Sequence, residues 1–369
     1  MKENKVVYKQ YVAFINRETE LNELRKFVNI EPFEILFLHG PKSSGKTTLL
    51  YRLFEQIEKE QKLDVKFLNL REICAEFTDD YKYEDFLRML FEVDDKKEKK
   101  GKFTAGVNVG LFKINTEIEK KIHQGRVDPF KVMKKEFIQL KEKGIKPVLI
   151  FDELQALDKI YLNNGRNRQL IIELFNFFVA MTKESHLAIV IIASSDGYFL
   201  NTVYTDSRLK KSSRFYKVDY LPKEDIMEWL LNLEKYSKIK DYTLTPEDVE
   251  KIWDTVGGSM WEIHHILSDL FDKPVDDVLT FYKGEMKGII AYYIGVDDKK
   301  EKILRLFLKK DRATVRDVVN EGIGKDEVDE LLRDMVTNNI LYFDPIEAIY
   351  YPQSRSYQWG IQLYFESLT

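Results

Sequence analysis

Hydrophobic and polar positions fall into two regimes along the chain. Up to residue 221, short apolar runs alternate with stretches of helical spacing. Ile35-Leu36-Phe37-Leu38-His39, residues 65–70, residues 148–151, residues 187–193 and the segment opened by Arg214 read as strands. Their unbroken apolar character suits strands covered on both faces, as in a parallel sheet. Between them lie helical patterns: Leu21, Leu24 and Phe27; Leu49, Leu50, Leu53, Phe54 and Ile57; residues 83–91; residues 130–143, stopped by Gly144; and residues 169–182. Asn16 is the candidate cap of the first. Glycines at 101, 106 and 110 among apolar residues predict a β-hairpin insertion over 101–115, after the solvated charge run at 94–100.

After Pro222 only helical spacing remains. Ile226, Trp229, Leu230 and Leu233 form one stripe. Thr245-Pro246-Glu247-Asp248 has a capping residue, a proline at the first position and acids in the first turn, and Gly257-Gly258 ends that helix. Helices over 260–271 and 275–294 follow. From Asp297 the order is three helices, a hairpin around Asp344-Pro345, and a closing helix with Ile361, Tyr364, Phe365 and Leu368. That is the order of a winged helix. The expected organisation is an α/β core over 1–221, an all-α unit over 222–296 and a winged helix over 297–369.

At 369 residues and 44% hydrophobic content, the chain is large enough for two or three cores. Its 58 basic and 62 acidic residues leave a formal charge of −4, which gives no overall field for a polyanion. A lone cysteine, Cys74, excludes a disulfide framework and a thiolate metal cluster, and reads as a core residue. His39, His123 and His186 are isolated, and the adjacent His264 and His265 diverge on a helix, so no metal-site spacing is present. No apolar run approaches 18 residues and no signal-type stretch leads the chain, so a cytoplasmic protein without a membrane segment is expected.

The candidate chemistry begins at Gly40-Pro41-Lys42-Ser43-Ser44-Gly45-Lys46-Thr47, which fits the phosphate-binding P-loop. Its chance occurrence in such a chain is on the order of 1 in 100. The motif lies between a strand and a helix, where unpaired backbone amides and the positive dipole end meet phosphate. Gly40 and Gly45 let the backbone wrap closely. Lys46 would reach the β- and γ-phosphates, and the Thr47 hydroxyl would bind Mg²⁺. Residues 148–151 run into Asp152 and Glu153, placing two acids at the carboxyl end of a buried strand. Asp152 would hold Mg²⁺, directly or through water, and Glu153 would act as general base toward the attacking water. Ser194-Ser195-Asp196, at the end of the next strand, offers a small polar contact to the γ-phosphate or the water, or an ordinary turn. No guanine-type Asn-Lys-x-Asp signature is evident, which favours ATP.

The third helix of the winged unit bears Lys325 and Arg333 against Asp326, Glu327, Asp329, Glu330 and Asp334, a net charge of −3. Phosphate contact dominates nucleic-acid affinity, so this helix is poorly suited to a DNA groove. The unit therefore reads as a protein-contact or self-docking module, with direct DNA reading the alternative.

These pieces together resemble the archaeal ATPase family of P-loop NTPases, of the STAND class and related to AAA+ ATPases. The resemblance spans nearly the whole chain. Its carriers are Phe14-Ile15-Asn16-Arg17-Glu18, Gly40 to Thr48, Val148 to Glu153, Ala193-Ser194-Ser195-Asp196, Ser213-Arg214-Phe215 and Gly257-Gly258-Ser259-Met260. Met260 stands where similar proteins usually carry proline in the lid. The resemblance implies a P-loop NTPase parallel-sheet core, a helical lid and a winged helix, with ATP and Mg²⁺ as cofactors. It implies that Asn16 and Arg17 lie near the nucleotide base or lid, that Ser195 is the sensor, and that Arg214 senses or completes the phosphate site. Thr48 belongs to the same binding loop. The function expected is a nucleotide-driven switch, slow without a partner. A DNA-associated ATPase and a scaffold without useful hydrolysis are the rivals; Glu153 argues against the scaffold, which needs no base.

Overall fold

In a computed structural model, residues 14–71, 83–93, 112–124, 126–158, 160–161, 169–205 and 209–368 are described. Five parallel strands form the central sheet: β1 (Ile35–His39), β2 (Leu63–Asn69), β5 (Lys146–Asp152), β6 (Ile189–Ser194) and β7 (Ser213–Lys217), in the order β2-β5-β6-β1-β7. The three inner strands are buried almost throughout, whereas β2 and β7 at the edges are only partly covered. Alternation along β1 assigns its residues to two cores. Ile35 and Phe37 face one way, with Phe151, Leu174 and Phe178. Leu36 and Leu38 face the other way, against Leu24 and Phe27 of helix Glu18–Asn29 and Leu49 and Leu53 of helix Lys46–Ile57. A sheet apolar on both faces needs helices on both, and the alternating sequence supplies them.

Two local expectations change. Asn16 does not cap the first helix: the cap position is Arg17, without a side-chain capping bond, and the Asn16 amide donates instead to Asp225 of helix Lys223–Leu230. Phe112–Ile114 (β4) pairs in parallel with Phe91–Val93 (β3), so the end of the expected hairpin belongs to a crossover pair rather than a hairpin. The remainder of that hairpin, the charge run before it and Cys74 lie outside the described residues.

The helices after Pro222 enclose a second core around Trp229, Ile252, Ile263 and Leu267. Thr245 and Asp248 form a reciprocal capping box, with Pro246 at the first helical turn. The winged helix follows as helices Asp298–Arg305, Val315–Asn320 and Lys325–Thr337, the antiparallel hairpin β8 (Leu341–Asp344) and β9 (Ile349–Pro352), and helix Arg355–Glu366. Helix Val275–Ile294 serves both cores. Its Val278, Leu279, Tyr282 and Met286 pack in the lid, while Ile290 and Ile294 pack in the winged helix.

A buried carboxylate fastens these units. Glu262 of helix Met260–Asp269 accepts hydrogen bonds from Tyr282 at 3.0 Å and Ser354 at 3.2 Å, and from Ser356. Burial pushes its pKa up, although the hydroxyl donors act against that shift. Glu262→Ala strands those hydroxyls away from water and is expected to lower stability by about 3 kcal/mol. Glu262→Gln, which keeps the shared acceptor, should lose clearly less. Denaturant midpoints of the two variants check this ordering.

Candidate nucleotide site

The loop between β1 and helix Lys46–Ile57 is held by backbone contact. A Cβ at Gly40 would lie 2.0 Å from the Val218 carbonyl oxygen, so only glycine allows β7 to run on beside the loop. Gly45, at φ +92°, forms the helix cap position. No side chain caps this helix and no acid lies in its first turn, so its leading amides are free for an anion. Pro41 and Ser44 are buried, Ser43 adopts φ 64°, and Lys42 is exposed at the loop's outer edge.

Lys46 is folded over the loop. Its Nζ donates to the carbonyls of Gly40 at 2.9 Å and Pro41 at 2.8 Å, and to Ser44 Oγ at 3.4 Å. Burial pushes its pKa down to about 8, opposed by the charges of Glu153 and Asp152. The Thr47 hydroxyl donates to Asp152 Oδ2 at 2.6 Å. Asp152 Oδ1 is buried without a hydrogen-bond partner. Burial raises the Asp152 pKa to about 6, with the Thr47 bond working the other way. A buried carboxylate oxygen left open beside a threonine hydroxyl has the chemistry of a hard-cation site, so these residues fit Mg²⁺. Thr48, one position on, is half-buried on the same helical turn.

The sheet order explains how the second acid reaches the loop. β6 lies between β1 and β5, so the end of β6 sits between the P-loop and the acidic strand end. Ser195, just past β6, donates to Glu153 Oε1 at 3.3 Å. Arg71, beyond the end of β2, pairs with the same oxygen at 3.0 Å, and Gln155 donates to the other. Glu153 itself sits at φ 60°, in the left-handed region, a cost of roughly 1–2 kcal/mol that turns its side chain out of the strand register.

Arg17 is buried and ties the site to the chain's first helix. It donates to the carbonyls of Ser44 at 2.9 Å and Asp219 at 2.6 Å, and pairs with Glu20. With Asn16 on Asp225, the Asn-Arg pair joins the P-loop to the first lid helix. Arg214 lies elsewhere. It is registered with Leu36, four residues before Gly40 and therefore about 13 Å from the carboxyl edge of the sheet. There it pairs with Glu34 at 2.7 Å and stays 53% exposed. The expectation that Arg214 completes the phosphate site is corrected by this register. The cation of β7 at the loop's level is Lys217, opposite His39.

Arg71, Gln155 and Tyr220 were not legible as site residues. Arg71 follows a strand's carboxyl end, the one signal that could have flagged it. Tyr220 is half-buried, and its hydroxyl lies 2.8 Å from the Lys42 carbonyl and 3.0 Å from that of Gln353, able to donate to either, so it touches the P-loop and the winged helix together.

A five-stranded parallel sheet with a P-loop on one strand, paired acids on another and a third strand between them defines a P-loop NTPase of AAA+-like architecture. The family model of an ATPase domain predominantly from Archaea matches residues 14–266, and the chain belongs to that archaeal ATPase family. An uncharacterized ATP-binding protein of Methanocaldococcus jannaschii is 33% identical over 356 residues, 93% of this chain and 92% of the relative. A second ATP-binding protein of that organism is 31% identical over 346 residues, covering 93% and 96%. Among solved structures, the Walker-type ATPase of Pyrococcus abyssi superposes at a TM-score of 0.62, with 17% identity over 95% of this chain and 96% of that one. The ADP form of the Aeropyrum pernix ORC2 protein gives 0.51, with 12% identity over 98% and 97%. At these identities the two structures show likeness of fold.

Arg214→Ala is expected to change nucleotide affinity by less than about 2-fold, as for an exposed surface pair. Arg17→Ala, which frees the Ser44 and Asp219 carbonyls, should weaken it several-fold; titration with a fluorescent nucleotide checks both variants.

Proposed function

We propose that the protein is a Mg²⁺-dependent ATP hydrolase acting as a conformational switch. The observation that carries this reading is the open, buried Asp152 Oδ1 beside the Thr47–Asp152 bond, with Glu153 one residue further on. Thr47 and Asp152 would hold Mg²⁺, which would supply positive charge against the phosphate oxygens. Lys46 exchanges its loop carbonyls for phosphate oxygens, and the uncapped helix end adds backbone donors. Glu153 takes a proton from the attacking water, with Ser195 fixing one carboxylate oxygen. Arg71 neutralises that same oxygen, so its departure is part of activating the base. That requirement supports a slow basal rate.

The switch reading is supported by where the winged helix docks. His39, immediately before Gly40, lies 3.3 Å from the Tyr342 hydroxyl. Burial pushes its pKa down to about 4, so it is neutral there at ordinary pH. Lys217 pairs with Asp344 at 3.1 Å, and Tyr220 joins Lys42 to Gln353. A loop that moves on binding phosphate thus pulls on β8 and the turn after β9. In this reading the winged helix is a protein-contact unit. A DNA-associated role is the alternative, since winged helices can read DNA, but the acidic third helix weighs against it.

Phosphate release and nucleotide titration check the proposal. Lys46→Ala is expected to cost about 2 kcal/mol of ATP affinity, roughly 30-fold. Glu153→Gln should retain binding and lose at least about 100-fold in turnover. Wild-type protein that neither binds nor hydrolyses ATP sinks the reading. DNA binding, measured against salt, is expected to be absent; affinity that falls steeply with salt would favour the alternative.

A further inference from the structure

Large exposed apolar side chains concentrate on one face, along helix Val275–Ile294 and the lid helix beside it. Trp261 is 62% exposed, Phe281 58% and Tyr292 92%, and Ile289 shares the face. Positions 281, 285, 289 and 292 recur at helical spacing, so they form one stripe. The stripe borders a groove of about 940 Å³ between the lid and the winged helix, whose far wall includes Asp334 and Asn338. Isolated exposed apolar residues are normal, but Trp261, Phe281, Ile289 and Tyr292 gathered beside one groove mark an interaction surface.

The charges around this groove limit what can fill it. Glu285 lies in the stripe and Glu330 is one turn from Asp334 on the third helix of the winged unit. Both are exposed, and neither pairs with a described basic residue. Lys300, the cation of the groove wall, is already paired with Asp334 at 3.0 Å and lies over the Tyr293 ring. The groove is therefore largely apolar and aromatic, with Glu285 in its lining and Glu330 one helical turn beyond Asp334.

The chain itself carries the complement. Helix Pro129–Glu142 presents Lys131, Lys134 and Lys135 outward, and Ile138 lies one turn along the same face at 40% exposure. None of the three lysines forms an ion pair with a described residue. One apolar side chain among lysines at helical spacing matches an aromatic groove rimmed by acids.

We propose that helix Pro129–Glu142 of a second copy docks into the groove between the lid and the winged helix. Ile138 inserts between Trp261 and Tyr292, and Lys134 and Lys135 face Glu285 and Glu330. The two surfaces differ, so the contact is heterologous and head-to-tail, and it propagates to a ring or an open chain. This deepens the protein-contact reading of the winged helix by naming its partner, and it does not depend on hydrolysis.

Sedimentation velocity over a range of concentration and salt tests it on the full-length chain. The wild type is expected to self-associate, less so at high salt. Lys134→Glu/Lys135→Glu and Glu285→Lys/Glu330→Lys should each be monomeric while keeping wild-type ATP affinity, which establishes that they fold. Mixed together, the two variants should associate again, because the intact groove of one meets the intact helix of the other and the two reversed faces also carry opposite charges. Wild type that remains monomeric at every concentration overturns the proposal, as does association untouched by either double substitution or a mixture of the two variants that stays monomeric. Because ATP turnover is read separately, a monomeric but active ATPase would reject the second copy as occupant and leave the hydrolase reading standing.

Discussion

Lys46 and Asp152 bury opposite charges at the carboxyl edge of one parallel sheet, and the rest of the structure is arranged to make that tolerable. Neither residue has enough water to solvate its charge, so each takes what the neighbouring loop and helix offer. Lys46 uses two loop carbonyls, which only a tightly wound loop can aim at it. The winding requires glycine at 40, where β7 passes too close for a side chain, and the left-handed turn at Gly45. Asp152 uses the Thr47 hydroxyl and leaves one oxygen open. The shifted titration of both groups reports the same desolvation. In the proposed function, phosphate and a cation would give both buried charges full partners.

What could be read in the chain follows from what is local. β1 and the P-loop are contiguous, as are the apolar run of β5 and its two acids, so strand, loop and chemistry appear together in order. The winged helix is legible for the same reason: its helices and hairpin are consecutive. Arg214 shows the limit. Its neighbours in sequence place it on a strand, but only the pairing register shows that it lies at the wrong end of that strand. Asn16 has the right residue type for a cap, yet Asp225, 209 residues away, competes successfully for its amide. Arg71 and Gln155 converge on Glu153 from different connections, and no spacing in the chain announces a meeting in space.

The second coupling runs from the loop to the end of the chain. His39, Lys42 and Lys217 sit at the edge of the sheet that phosphate would approach, and each contacts or is bridged to the winged hairpin or the turn beyond it. These contacts are polar, and beside them Tyr198 of the core stacks on Phe343 of the hairpin. Their loss costs far less than unfolding either core, so the hairpin can change its grip on the loop without either unit melting. Glu262 and helix Val275–Ile294 act differently. They share buried surface between the lid and the winged helix, through a carboxylate with three hydroxyl donors and a helix that serves two cores. Lid and winged helix are thus joined through shared buried surface, whereas the winged hairpin meets the core through these polar contacts and the Tyr198–Phe343 stack. In the proposed switch, lid and winged helix would move as one body, and the groove between them would keep its shape while its orientation follows the loop.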